Sequence, residues 1–184
     1  MWHDLLSDAS LFSSLLVIDR ARAKVVKAEG CPRCGGKLDV AAYTRMAGGV
    51  PGGVSADFSR RDSFCCRDCR RRSTPPTARF LGQRAYVSVV VALAAVLSDG
   101  PTAMRITALS NLIGASRRTV KRWIVWWREG ATKSLWWAML VARAPIVDTA
   151  SSALDAFIPT ASNRVDALVN FLRFIANEGS AVVM

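Results

Sequence analysis

Four cysteines set as Cys31-x2-Cys34 and Cys66-x2-Cys69 constrain this chain more than any other feature. A C-x2-C pair puts two sulfurs on one tight turn within reach of a single ion, and two such pairs make a tetrahedral thiolate cage. Zinc suits four thiolates, at about 2.3 Å, with no change of redox state. Pro32 and Gly35-Gly36 supply the turn chemistry of the first pair. The pairs stand 31 residues apart, against about 15–20 in short zinc sites, so the hairpin between them carries an insertion. Candidate strands near residues 37–46 and 57–66 flank a flexible tip, Gly48-Gly49-Val50-Pro51-Gly52-Gly53. Cys65 is the odd cysteine and offers an alternative to Cys66 in a C-x3-C pair with Cys69; the x2 spacing favours Cys66. One zinc ion held by Cys31, Cys34, Cys66 and Cys69 would be structural, since four thiolates leave no open coordination position. Disulfides and unligated or redox cysteines are the competing uses. The start, Met1-Trp2-His3-Asp4-Leu5-Leu6-Ser7-Asp8, carries acids where a secretory signal carries lysine or arginine, which points to a cytoplasmic protein and against disulfides.

At 184 residues and 51% hydrophobic content the chain can bury a core as one medium domain or two small ones. The longest apolar stretch, Ala85 to Leu97, has 13 residues, short of the ~20 that cross a bilayer. It is expected to be a buried helix, with no membrane partner. The formal charge of +11 is unevenly placed. Residues 1–30 and 131–184 each hold four basic and four acidic residues, whereas 31–80 hold ten against four and 81–130 seven against two. Four thiolates around one Zn²⁺ would lower the total to about +9, still strongly cationic. Twenty of the 25 basic residues are arginine, a bias that suits phosphate and guanine contacts and that a GC-rich genome also produces.

Residues 1–30 form an N-terminal helix, over roughly 4–28, with Leu5, Leu6, Phe12, Leu15, Leu16 and Ile18 ahead of a basic end closed by Gly30. This helix either covers the ribbon or helical core, the favoured reading, or mediates a homodimer or partner contact. A zinc ribbon follows at 31–72. Arg70, Arg71 and Arg72 lead into Ser73-Thr74-Pro75-Pro76, an extended linker spanning 73–82. Residues 83–130 make a helical domain: an apolar helix over 83–98, a stop at Asp99-Gly100-Pro101, a helix from Ala103 to Ile113 with Ile106, Leu109, Leu112 and Ile113 inward, a Gly114-Ala115 turn, and a Ser116-capped helix to about Arg128. At about 100° per residue Val120, Trp123, Ile124 and Trp127 share one face. Arg117, Arg118, Lys121, Arg122 and Arg128 share another, broken only by Val125. That is the pattern of a helix-turn-helix, whose second helix offers its N-terminal residues to the major groove. Trp123, Trp126, Trp127, Trp136 and Trp137 crowd into fifteen residues; core packing or an oligomer interface is favoured over base stacking. A C-terminal helical extension, 131–184, contains an amphipathic helix over 163–177 with Val165, Leu168, Val169, Leu172 and Ile175 at helical spacing, and a fraying Ala-Val-Val-Met end.

Cys31-Pro-Arg-Cys34-Gly-Gly, followed by Phe64-Cys-Cys66-Arg-Asp-Cys69-Arg-Arg-Arg-Ser-Thr-Pro, resembles the N-terminal zinc ribbon of bacterial insertion-sequence transposases, which commonly read CPxCG and YxCxxCxRxFS. Ala108-Leu-Ser-Asn-Leu-Ile-Gly-Ala-Ser-Arg-Arg-Thr-Val-Lys-Arg-Trp resembles the helix-turn-helix that follows in the same order in that family. The resemblance covers roughly residues 31–130. In the family a catalytic RNase-H-like domain with three carboxylates and divalent metal comes next, whereas 54 residues follow Gly130 here, with Asp148, Asp155, Asp166 and Glu178 among mainly helical patterns. Transposition chemistry is therefore not expected of this chain.

Other enzymatic signatures are missing. His3, the single histidine, lies near the terminus, which argues against Ser-His-Asp and Cys-His mechanisms; the glycine pairs build neither a Walker loop nor a G-x-G-x-x-G turn, and a carboxylate pair is the one catalytic alternative left. The expectation is a mainly α protein with a small β zinc ribbon and a helix-turn-helix domain. Its expected role is non-catalytic and bacterial: binding DNA, nucleoid-associated when bound, as a mobile-element accessory factor or transcriptional regulator, with no small-molecule substrate. Arg70, Arg71, Arg72 and Arg79 would clamp phosphates, and Arg117, Arg118, Lys121 and Arg122 would reach the groove. The alternative is a protein-interaction module that docks on a larger nucleic-acid machine through the ribbon and the tryptophan-rich helices.

Overall fold

Asp8 starts the first long helix: its carboxylate accepts the Ser10 N–H at 2.9 Å, and the Ser10 hydroxyl together with this N–H holds the carboxyl below its ordinary pKa. A 3₁₀ turn, Trp2–Ser7, precedes it. The helix, α1 (Ala9–Glu29), buries Leu11, Phe12, Leu15, Asp19 and Ala23 along one stripe and ends at Gly30. It packs against the C-terminal helix, while Ala23 reaches a separate small cluster in the ribbon. The computed structural model describes residues 2–45, 48–50, 54–80, 92–97, 100–143, 149–150, 152–158 and 161–178. The protein is mainly helical with a small antiparallel sheet.

The hairpin between the cysteine pairs breaks into two ladders. Strands β1 (Leu38–Val40), β4 (Phe64–Cys66) and β5 (Arg72–Ser73) form a three-stranded sheet in the order β1-β4-β5, with Leu38 opposite Cys66 and Cys65 opposite Arg72. Beyond a junction where the Ala41 N–H donates to Ser63 O, β2 (Tyr43–Thr44) pairs with β3 (Arg60–Arg61). Strands β1 to β4 lie inside the spans expected from sequence, and β5 lies beyond them. Part of the glycine-rich tip, residues 51–53, lies outside the described residues, as do most of the expected helix over 83–98 and the last four residues. Within that apolar stretch Ala92, Leu93, Ala94, Ala95 and Leu97 are buried.

Local sequence sets the next two helices. Thr102 caps α2 (Ala103–Ile113) by accepting the Arg105 N–H at 3.3 Å. Gly114 ends it at φ 64, a left-handed conformation that costs glycine nothing. The buried Ser110 hydroxyl donates to Ala115 O at 2.5 Å and ties the turn down. Ser116 then caps α3 (Arg117–Val125) through the Thr119 N–H at 3.2 Å. The helix stops earlier than Arg128: a π turn over Trp126–Gly130 and a 3₁₀ turn over Ala131–Lys133 lead to α4 (Leu135–Arg143). Helices α5 (Ser152–Asp155) and α6 (Arg164–Glu178) complete the described fold, and Asn163 caps α6 through the Asp166 N–H.

Trp127 is the centre of the helical core. It is fully buried, edge-on to Trp126 at 4.8 Å and Trp136 at 5.9 Å, and stacked on Phe171 at 6.0 Å. The main hydrophobic cluster runs from Leu6 to Ala176 and takes in Phe58, Ala78 and Phe80. The segment expected to be an extended linker is extended but not exposed: Pro75 and Thr77 to Phe80 are buried. The ribbon's own cluster is small, comprising Ala23, Cys31, Leu38, Phe64 and Cys66 with Val26 and Cys69 at its margin. Among the described residues no helix is long and apolar enough to cross a membrane.

Candidate metal centre and basic surface

Cys31, Cys34, Cys66 and Cys69 converge, with all four sulfurs within 4.8 Å of one another. The Cys31–Cys69 and Cys34–Cys66 sulfurs are 3.6 and 3.5 Å apart, too far for disulfides. Four sulfurs bound tetrahedrally at about 2.3 Å stand about 3.8 Å apart, so the cluster already has the dimensions of a metal cage. Two copies of one turn build it. The Cys31 N–H donates to Gly36 O and the Gly35 N–H to Cys31 O; likewise the Cys66 N–H donates to Arg71 O and the Arg70 N–H to Cys66 O. The fourth residue after the first cysteine has positive φ in both turns, 71° at Gly35 and 58° at Arg70.

That repeat decides between the adjacent cysteines. Cys66 occupies the place of Cys31, whereas Cys65, on the opposite face of β4, points its thiol at the carbonyls of Cys66 and Arg70 and stays outside the cluster. The sulfurs are electrostatically unequal. Backbone N–H groups of Arg33 and Cys34 lower the Cys31 thiol to about 6. At Cys34 the Gly36 N–H pulls downward, but the neighbouring sulfurs of Cys66 and Cys69, with some desolvation by the surrounding cluster, push the thiol up to about 12. Thiolates crowded this closely oppose one another's ionisation, and a cation among them removes the conflict. The residues therefore fit a metal.

No protein-family model, curated protein or solved structure matches this chain.

The basic residues expected to meet nucleic acid fall into three situations. Arg70, Arg71 and Arg72 are exposed at the second cysteine turn, and the Arg72 guanidinium lies over the Tyr43 ring at 5.6 Å. Arg117, Arg118, Lys121 and Arg122 are exposed on α3 opposite buried Val120, Trp123 and Ile124. Among the described residues none of these four is in an ion pair. The first turn of α3 contains no acid, so Arg117 and Arg118 add their charge to the positive end of the helix dipole.

Arg79 is the correction. It is 1% exposed and cannot clamp phosphate, because its guanidinium is committed inside the protein. Its Nε donates to Asp19 Oδ2 at 2.7 Å, and its Nη1 donates to Phe58 O at 2.6 Å. Asp19 also accepts the Thr77 hydroxyl and the Ala78 N–H. Sequence reasoning missed this pair, since an acid in mid-helix and an arginine sixty residues later carry no local signal of each other.

Proposed function

We propose that this is a non-catalytic DNA-binding protein, in which a zinc ribbon pinned by Cys31, Cys34, Cys66 and Cys69 is joined to a helix-turn-helix formed by α2, the Gly114 turn and α3. The single observation that supports it best is α3. One face is sealed into the core, and the other presents Arg117, Arg118, Lys121 and Arg122, exposed and outside any described ion pair, at the helix end whose dipole is already positive. Phosphate oxygens or guanine edges complement that surface. Zinc is the proposed ion because four thiolates in a closed tetrahedral site suit it, and it would supply structural cross-linking with no open position for chemistry. A mobile-element accessory factor or a transcriptional regulator accords with the likeness of the two motifs to insertion-sequence transposases.

Binding to duplex oligonucleotides, measured across monovalent salt, tests the reading. Log affinity should fall linearly with log salt, and Arg118→Ala or Arg122→Ala should each lower the slope by about one if the contact is to phosphate. If the contact is to a base, the loss should fall on one position and amount to about 1–3 kcal/mol. Selection from a random pool at physiological salt then separates sequence recognition from sequence-blind binding. Affinity indifferent to salt and to both substitutions would remove the proposal. With Trp123, Trp127, Trp136 and Trp137 buried and Trp126 partly so, the competing idea of a docking module would rest mainly on the ribbon.

A further inference from the structure

The ribbon hairpin has two faces, and the metal cluster uses only one. Cys66 is buried toward the cluster, while Cys65 projects to the other face. Cys65 stands in register with Asp39 and Arg72, and further along the hairpin Tyr43 pairs with Arg61. This outer end is what the long gap between the cysteine pairs builds, for β2 and β3 lie beyond the strands that carry the site.

Three features make this face suited to an anion. Arg72 rests its guanidinium on the half-exposed Tyr43 ring; stacking occupies one side of the fork and holds its N–H edge ready for bidentate contact. Arg61 is only partly exposed, and its Nη2 donates to Pro75 O at 2.6 Å. Burial lowers its pKa, and the opposing pull comes from Asp19 and Tyr43, yet Asp19 is already in an ion pair with Arg79. On the same face Asp39 is in an ion pair with Arg67 at 2.8 Å. Asp19 and Asp39 are thus committed to other arginines, and the charges of Arg61 and Arg72, which are in no described ion pair, remain to attract an outside anion.

We propose that Tyr43 and Arg72, with the half-buried charge of Arg61 beside them, form a second contact for the phosphate backbone of nucleic acid, separate from α3. The inference rests on the DNA-binding reading above and narrows the ribbon contact expected of Arg70, Arg71 and Arg72 to Arg72, with Tyr43 and Arg61 as new members of the site. The zinc-loaded full chain with a duplex oligonucleotide tests it. Arg72→Ala should lower the log–log salt slope by about one, worth about eightfold in affinity at 0.1 M salt for a purely electrostatic contact, with one metal per chain retained. Tyr43→Ala should reproduce part of that loss. Cys65, the thiol outside the cluster, gives an independent readout: duplex should slow its alkylation by iodoacetamide. If Arg122→Ala weakens binding while Arg72→Ala keeps the parental slope and duplex leaves Cys65 alkylation unchanged, the ribbon contact is refuted and the α3 reading stands. If the parent shows no salt-dependent binding, both fall. Inorganic phosphate that protects Cys65 as fully as duplex would overturn the nucleic-acid assignment in favour of a free-anion site.

Discussion

Asp19→Asn is the sharpest test of how this fold is held together. Asp19 is 3% exposed and its partner Arg79 1%, so neither charge is relieved by water. The carboxylate receives the Arg79 Nε–H and the Ala78 N–H, both at 2.7 Å, and the Thr77 hydroxyl. Asparagine keeps one acceptor oxygen, loses the charge, and turns an N–H₂ toward groups that are themselves donors. Arg79 would retain Phe58 O at 2.6 Å and the rings of Phe58 and Phe80 at 5.5 and 5.3 Å, which cushion a cation but do not neutralise it. Removing one partner of a buried pair costs about 3–5 kcal/mol, about a fifth or more of the roughly 5–15 kcal/mol that holds a typical domain together. Urea unfolding followed by circular dichroism should show the midpoint falling by about 2 M, at an m-value near 2 kcal/mol per molar, with m itself unchanged. The companion variant Asp19→Leu with Arg79→Met removes both charges together and should recover most of the loss, because an apolar replacement of a whole pair is about neutral or better. If Asp19→Asn costs less than about 1 kcal/mol, or the double variant is no more stable than the single one, the buried pair is not what joins α1 to the 77–80 segment.

Metal analysis of the purified chain should find one zinc, retained in Cys65→Ser and lost in Cys34→Ser or Cys66→Ser, because only the last two remove a converging sulfur. A chelator should unfold the ribbon while the helical signal largely persists, for the ribbon's cluster is a handful of side chains and structural zinc in short peptides contributes about 10–16 kcal/mol; a folded metal-free ribbon would refute the site. Zinc affinity should weaken from about pH 8 to pH 6, since Cys34, pushed up to about 12, must surrender a proton to the metal and protons compete better as pH falls. Gly114→Ala should cost about 1–2 kcal/mol: no atom within 4 Å obstructs a methyl group there, so the loss would come from φ 64 alone, and a neutral result would show that the turn relaxes.

What the sequence disclosed well is what it encodes within a few residues. The cysteine turns, the Ser116 cap and the Gly114 turn are local chemistry, and the structure puts each where its residues require it. The inward set on α3 was legible because its apolar and basic positions separate cleanly. On α2 they do not: Met104, Ala108 and Leu112 extend the apolar surface around the helix, and Leu112, expected inward, is 54% exposed. The π turn at Trp126–Gly130 answers to the packing of Trp127 among Trp136 and Phe171, partners from two later helices. The burial of the extended segment after the ribbon has the same origin. Pro75-Pro76 does exclude helix, yet nothing nearby reveals that Asp19 draws the following residues into the core.

Arginines placed against local preference fall into two groups in this protein, those that a described acid answers and those that none does. Arg79 is buried, and the molecule answers with Asp19, two carbonyls and two aromatic rings. Arg70 holds φ 58, a conformation that costs an L-residue about 1–2 kcal/mol, where the matching position in the other cysteine turn is Gly35. Arg117 and Arg118 sit at the wrong end of a helix dipole with no acid in that turn. Arg61 is half-buried beside an acid already engaged elsewhere. In these last cases no described acid pairs with the arginine, and all four side chains lie on the ribbon or on α3, where the sequence concentrates its positive charge. A polyanion bound there would offset every one of these penalties at once, whereas a purely structural protein would do better with glycine at 70 and an acid at 117. The substitutions Arg70→Gly and Arg117→Glu should therefore raise thermal stability of the zinc-loaded chain while weakening its binding to duplex DNA, and a gain in stability with unchanged binding would show that these arginines serve neither purpose.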